Sequence, residues 1–271
     1  MSKLQPDRFF ALREGECELP DGEPAQLVVL RLGELRVRSG RLGVSDALRL
    51  AEPLVVPVPQ GDHPLLLTIA RVDESYDLAM NREACLSLVL SDEPTASIEA
   101  APVEAGAIET SGLAGRPGLH GVPTGDISTV AMVDADAILA GMPADATTWY
   151  DEVIGRDETG WFARMDTEID GPWRSYFGEL PLARHGENIG VANARSNRCF
   201  PVLATRDAEG RLTGIHVDLL VIGQLSEEMR AFDGRSEFAV EFAREEALRR
   251  EAEARSERRG GILGRLKGLF G

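Results

Sequence analysis

The stretch "NARSNRCFPVLATRDAEGRLTGIHVDLLVI", residues 193–222, decides the fold. Its two apolar runs, 200–205 and 213–222, are separated by "RDAEG", in which Gly210 is free to take positive φ. That spacing predicts a closing β-hairpin. In front of it stands "ARSNR", which puts Arg195 and Arg198 beside Cys199. Two readings stay open here: a site that performs chemistry, or the last hairpin of a β-rich domain.

Outward from the hairpin the strand signal repeats. "AQLVVLRLGELRVRSGRLGV" (25–44) alternates apolar and polar residues and is interrupted at Gly33 and at Ser39-Gly40, which reads as strand, turn, strand. Residues 65–72, 84–92 and 96–103 read as further strands. Pro53, Pro57 and Pro59 predict an edge or extended segment, because proline cannot donate to a ladder. Residues 105–125 are rich in Gly and Pro and predict a long loop. Residues 127–133 predict a strand running into a helix, with Asp134 as the N-cap that accepts first-turn amide protons. "DATTWYDEVIG" predicts a short amphipathic helix capped by Thr147 or Asp145. The aromatic residues gather between 149 and 177, as a core patch or a binding wall.

From Ser226 the texture becomes helical and charged. Glu245/Arg249, Glu246/Arg250 and Glu251/Arg255 are i,i+4 pairs in the favourable order, and Phe238 and Phe242 share a face. Past Leu248 almost no apolar face is left, so the helix is expected to project as a spacer until Gly260-Gly261 break it. In the terminal "GILGRLKGLFG", Ile262, Leu263, Leu266, Leu269 and Phe270 fall within an arc of about 120°. Arg265 and Lys267 flank that arc. The pattern suits a membrane-surface or groove-binding peptide; a disordered end is the other reading. The expected organisation is an acidic β-rich globular domain over 1–224, a charged helical spacer over 225–258 and an amphipathic peptide over 259–271. The expected fold class is α+β, a mostly antiparallel β single domain with a few short helices, plus the C-terminal helical extension.

The chain has 271 residues, 43% of them hydrophobic, enough for one large core. No apolar run approaches the roughly 20 residues that span a bilayer. "MSKLQPDRFFALREGE" is interrupted by charges and reads as no signal peptide. Cys17, Cys85 and Cys199 are far apart and form no C-x-x-C, so free thiols in a reducing cytoplasm are expected. The net charge of −16 lies wholly in residues 1–224, which hold 35 of the 45 acids against 19 of the 29 bases. Such a body repels phosphate backbones and attracts a basic protein partner, so a protein partner is expected and nucleic acid is not.

The histidines are His63, His120, His185 and His216, and none lies in H-x-x-x-H or H-E-x-x-H. No metal or cofactor is expected. His216 and Asp218 stand two apart on an expected strand and so share a face. One can orient the other, or both can hold a metal; the other reading is a hydrogen-bonded pair on a solvated strand face. His120 and Asp126 flank Gly121, Pro123 and Gly125, in a loop that can turn amides toward an anion or can be a plain turn. Arg195 and Arg198 beside Cys199 would lower its pKa, yet Cys199 also begins a strand, as a half-buried structural thiol does. No G-x-S-x-G and no nucleotide-binding glycine fingerprint is present.

Three segments resemble the bacterial proteins grouped as domain of unknown function 4241. "SGRLGVSDALRL" followed by "VVPVPQGDHPLLLTIARV" resembles that family's opening, with His63 in the Pro59-Gln60-Gly61-Asp62-His63-Pro64-Leu65 turn where tyrosine is usual. "HGVPTGDISTVAMVDADAI" resembles its central segment, with Pro123 in place of an aspartate and Gly125 kept. The 193–222 stretch resembles its closing hairpin: Pro201-Val202, Asp207, Gly210 and Asp218 match, while Arg195-Ser196-Asn197-Arg198 replaces a Gly-Asp-Gly. The likeness covers about residues 35–222. It implies a compact, mostly β domain and no established activity. If the lost acids made a site in relatives, this chain lacks it.

Three functions remain in view. One is a non-enzymatic interaction or accessory protein of the bacterial cytoplasm, binding a protein partner through its acidic body. Its C-terminal peptide would act in docking or in contact with the inner membrane face. Another is a structural component of an assembly docked by residues 226–271. The last is a metal-dependent or hydrolase-like enzyme using His216 and Asp218, joined by His120, Asp126 and Cys199.

Overall fold

A computed structural model describes residues 4–72, 81–104, 118–125, 128–167, 177–183, 186–194 and 196–232. The chain divides into two compact units, Met1–Glu227 and Glu228–Gly271. The first is built of thirteen strands: β1 (Gly15–Glu18), β2 (Pro24–Val37), β3 (Arg41–Ser45), β4 (Leu54–Pro57), β5 (Gly61–Arg71), β6 (Asn81–Val89), β7 (Ser97–Ala100), β8 (Gly121–Pro123), β9 (Thr129–Asp134), β10 (Gly178–Pro181), β11 (Asn188–Asn193), β12 (Cys199–Arg206) and β13 (Leu212–Asp218). Every pairing among them is antiparallel. Short helices α1 (Ala135–Gly141) and α2 (Trp161–Thr167) follow β9, and α3 (Gly223–Phe232) follows β13. The strand-dominated α+β class expected from the sequence is therefore what the chain forms.

The strands make two sheets. One has the order β1–β2–β5–β6–β13–β12–β7, and β8 shares the outer edge of β12 with β7. The other has the order β10–β11–β9–β3–β4. Their inner faces pack together. Leu35, Leu65, Leu67, Leu86, Val202, Ile215 and Val217 of the first meet Leu42, Val44, Val130, Met132 and Ala192 of the second. Alternation puts these residues inward, since successive side chains of a strand point to opposite faces. Gly190 on β11 lies directly under Leu65, and a side chain at 190 would overlap the leucine. That absent Cβ is what lets the two sheets close there.

The outer face of the five-stranded sheet is covered by α1, a turn at Ala146–Thr148, a π-turn at Tyr150–Ile154 and α2. Ile138, Trp149, Val153 and Trp161 are buried there over Val133, Ile189 and Val191. Both indole N–H groups are satisfied: Trp149 donates to the Pro143 carbonyl (2.7 Å) and Trp161 to that of Pro181 (3.0 Å). For these two tryptophans the aromatic cluster is core. Asp134 caps α1 as expected, accepting from the Asp136 and Ala137 amides. It also accepts from Ser39 N and Ser39 Oγ, both at 2.7 Å, and so ties the β2–β3 turn to α1. Of the two cap candidates for the next turn, Asp145 is the one used.

Three expectations are corrected. The loop expected over 105–125 includes β8, whose Gly121–Pro123 pair with residues of β12; residues 105–117 lie outside the described ones. The last strand was expected to reach 222 but stops at Asp218, because Asp218 Oδ1 accepts from Leu220 N (2.8 Å) and Leu220 takes φ 58°. Gly33 does not end a strand: it sits in a register shift within β2, pressed against the Glu179 side chain. The expected edge at Pro53 and Pro57 is β4, the terminal strand of its sheet. Helix α3 opens the expected charged helix. The rest of the spacer, and the terminal Ile262, Leu263, Arg265, Leu266, Lys267, Leu269 and Phe270, lie outside the described residues.

Candidate functional site

On β13, Ile215 and Val217 point into the inter-sheet core, so His216 and Asp218 point to the outer face of the eight-stranded sheet. The sequence left that face as a site or as solvated surface. It is neither open nor solvated: His216 is 1% exposed and Asp218 5%. Residues 4–13 and the start of α3 lie over it, bringing Leu4, Phe9 and Leu225 onto the sheet. This cover is tied down by Gln5 N to Gln224 Oε1 (3.1 Å), by Leu12 N to Thr68 Oγ1 (3.1 Å) and by the Arg8–Glu227 ion pair.

His216 is the hub of a buried hydroxyl chain. Its Nδ1 lies 2.9 Å from Ser87 Oγ and its Nε2 3.0 Å from Thr205 Oγ1; Thr213 Oγ1 donates to Thr205 Oγ1 at 2.9 Å. Phe9 meets the ring edge-on, with centroids 5.1 Å apart. Gly214 makes room, because a Cβ there would lie 2.6 Å from His216 Nε2. Burial lowers the His216 pKa to about 3, so the ring is neutral. A neutral imidazole has one donor and one acceptor nitrogen, which the two hydroxyls match.

Asp218 is not hydrogen-bonded to His216. It stands opposite Cys85 in the β13–β6 register. Burial raises its pKa to about 7, against the opposing hydrogen bond from Leu220 N. Burial, and then the charge of Asp218, push the Cys85 thiol well up. Asp218 and Cys85 line a cavity of about 20 Å³ with Leu4, Phe9 and Leu225, the size of one water molecule.

The remaining candidates do not join this pair. Leu203 is the β12 residue opposite His216, and Cys199 is four residues earlier, about 13 Å along the strand. Cys199 is half-buried, and burial raises its pKa to about 11. That is the structural-thiol reading, and the opposite of activation by the neighbouring arginines. His120 precedes β8, and its carbonyl accepts from Val202 N (2.9 Å). Asp126 lies outside the described residues, as do Arg195 and His185. Among the described residues no group of three or more His, Cys, Asp or Glu is placed to hold a metal.

The loop read either as turning amides toward an anion or as a plain turn points one amide at an internal carboxylate. Gly125 N donates to Asp46 Oδ2 (2.7 Å), while Asp46 Oδ1 accepts from Leu48 N (2.9 Å) and Thr129 Oγ1 (3.1 Å). Asp46 thus binds the 120s loop to β3. Thr124 continues the stitching, donating from Oγ1 to the carbonyls of Ser196 (3.2 Å) and Arg198 (3.1 Å). Nothing in the local sequence singled out Asp46, because its partners are 79 and 83 residues away. Ser87 and Thr205 escaped for the same reason: each looks like any strand hydroxyl until the sheet places it beside His216.

No family model, curated protein or solved structure matches the chain.

Proposed function

We propose that this chain is a non-enzymatic interaction or accessory protein that binds a basic protein partner through its acidic body. One observation carries the reading. Ion pairs among the described residues join Arg8 to Glu227, Arg31 to Glu34, Arg38 to Asp62, Arg41 to Glu104 and Asp136, Arg82 to Asp21 and Glu23, Arg206 to Glu99, and Arg211 to Asp207 and Glu209. Exposed Glu16, Glu18, Asp151, Glu152, Asp157 and Glu158 make no ion pair among the described residues. Their charge is available to a partner, and a surface of one sign steers an oppositely charged protein toward it. The closed His216 chain and the deactivated Cys199 thiol speak for a structural role of the residues that an enzyme would have used. The C-terminal peptide as a docking or membrane-surface element, and a relationship to domain of unknown function 4241, belong to the same proposal.

Affinity capture from bacterial lysate, read by mass spectrometry and compared with a 1–258 truncation, tests it. A near-stoichiometric basic protein, retained at physiological salt and released by high salt, supports the reading. Retention only by the full chain assigns docking to the terminal peptide. No protein retained by either form overturns it.

A further inference from the structure

The aromatic cluster divides between neighbouring residues. Trp149 is buried, while Tyr150 next to it is 50% exposed. Trp161 is buried, while Phe162 next to it is half-buried. The Tyr150 and Phe162 rings meet edge-on, with centroids 6.4 Å apart at 65°. The π-turn produces this arrangement. It buries Val153 and Ile154 and leaves Tyr150, Asp151 and Glu152 outward. Tyr150 packs on Gly155, where a Cβ would lie 2.9 Å from its Cε1. The ring is thereby held in place with half its surface in water.

Four carboxylates follow Tyr150 closely in the chain. Asp151 and Glu152 belong to the same turn and Asp157 and Glu158 to the next; all are exposed, with Arg156 among them. An exposed tyrosine costs little entropy to immobilise, offers a large apolar face and keeps a polar tip. A guanidinium or ammonium group over its face gains a cation–π contact, and nearby carboxylates accept its N–H groups. A second copy of this chain would bring like charge to like, and a phosphate surface would be repelled. Charge complementarity selects the occupant.

We infer that Tyr150 and Phe162, with the carboxylates of Asp151, Glu152, Asp157 and Glu158, form a docking surface for an arginine- or lysine-rich segment of a protein partner. This rests on the proposed function and gives it an address on the helical layer over the five-stranded sheet.

The test measures binding of fluorescein-labelled octa-arginine to the full chain by anisotropy. The variants are Tyr150→Ala, Tyr150→Phe, the combined Asp151→Asn/Glu152→Gln/Asp157→Asn/Glu158→Gln, and a remote control, Glu16→Gln/Glu18→Gln. Tyr150→Ala is expected to weaken binding about fivefold, the change corresponding to a contact of about 1 kcal/mol, and Tyr150→Phe to restore it. The combined variant is expected to weaken it more than tenfold and the remote control less than twofold. Equal loss in the remote control, or no change in Tyr150→Ala, overturns this surface while leaving a basic partner in place. Absence of any binding to the wild-type chain overturns both this surface and the function on which it rests.

Discussion

Asp218 offers the sharpest test of the covered sheet face. Its carboxyl is buried beneath residues 4–10 and the start of α3, and Oδ1 accepts from Leu220 N. Facing it are Cys85, across the β13–β6 register, and Arg8, which is engaged by Glu227. Its native pKa is raised to about 7 from 3.8. The native state therefore holds a proton that the unfolded chain releases near 3.8. The stabilisation is complete below that value, declines as pH rises toward 7, and is gone above 7. At about 1.4 kcal/mol per tenfold change, the full loss is about 4 kcal/mol. Asp218→Asn removes the titration and keeps an oxygen to accept from Leu220 N. Urea unfolding followed by tryptophan fluorescence, at about pH 5 and about pH 8.5, compares the two proteins. The advantage of Asp218→Asn is expected to grow by about 3 kcal/mol between those conditions. Background titrations are common to both proteins and cancel. A difference that stays constant with pH would show that Asp218 ionises freely and that the cover does not exclude water.

Gly190→Ala forces Leu65 out of its place between the sheets and is expected to cost about 1–3 kcal/mol; in a double-mutant cycle with Leu65→Ala the two costs should fall well short of adding. Asp134→Ala removes the α1 cap and leaves Ser39 without its acceptor, an expected loss of about 2–3 kcal/mol in a thermal or urea midpoint. Cys199, with a thiol pKa of about 11, is expected to alkylate with iodoacetamide at pH 8 at least tenfold more slowly in the folded chain than in urea. Rates that are equal in the two states would restore the activated-thiol reading.

Much of this architecture was legible along the chain. The 193–222 hairpin, the turn at Gly210 (φ 80°) and the Asp134 cap were readable because each depends on contacts within a few residues. Pro53 and Pro57 marked an edge because proline removes a donor wherever it stands. Gly33 reads as a break along the chain but is a bulge in the fold, since the Glu179 side chain that occupies its Cβ space is distant in sequence. β13 ends four residues before its apolar run does, because an Asx-type bond at Asp218 outcompetes a run that continues to Ile222.

The sequence by itself determined the mostly antiparallel β class with a few short helices, since period-2 alternation, turn glycines and caps are local properties of the chain; that the strands divide into two packed sheets came from the tertiary structure. It also determined the acidity of the body and the pairing of His216 with Asp218 on one strand face. Tertiary structure decided what that face became. Residues 4–13, more than 200 positions away from His216 in the chain, close over it and convert an expected solvated pair into a neutral hub and a protonatable carboxyl. It likewise decided that Trp149 and Trp161 are core while Tyr150 is half exposed and Phe162 lies partly buried at the edge of that core. Burial depends on which segment covers which face, and the packing of residues distant in sequence sets that.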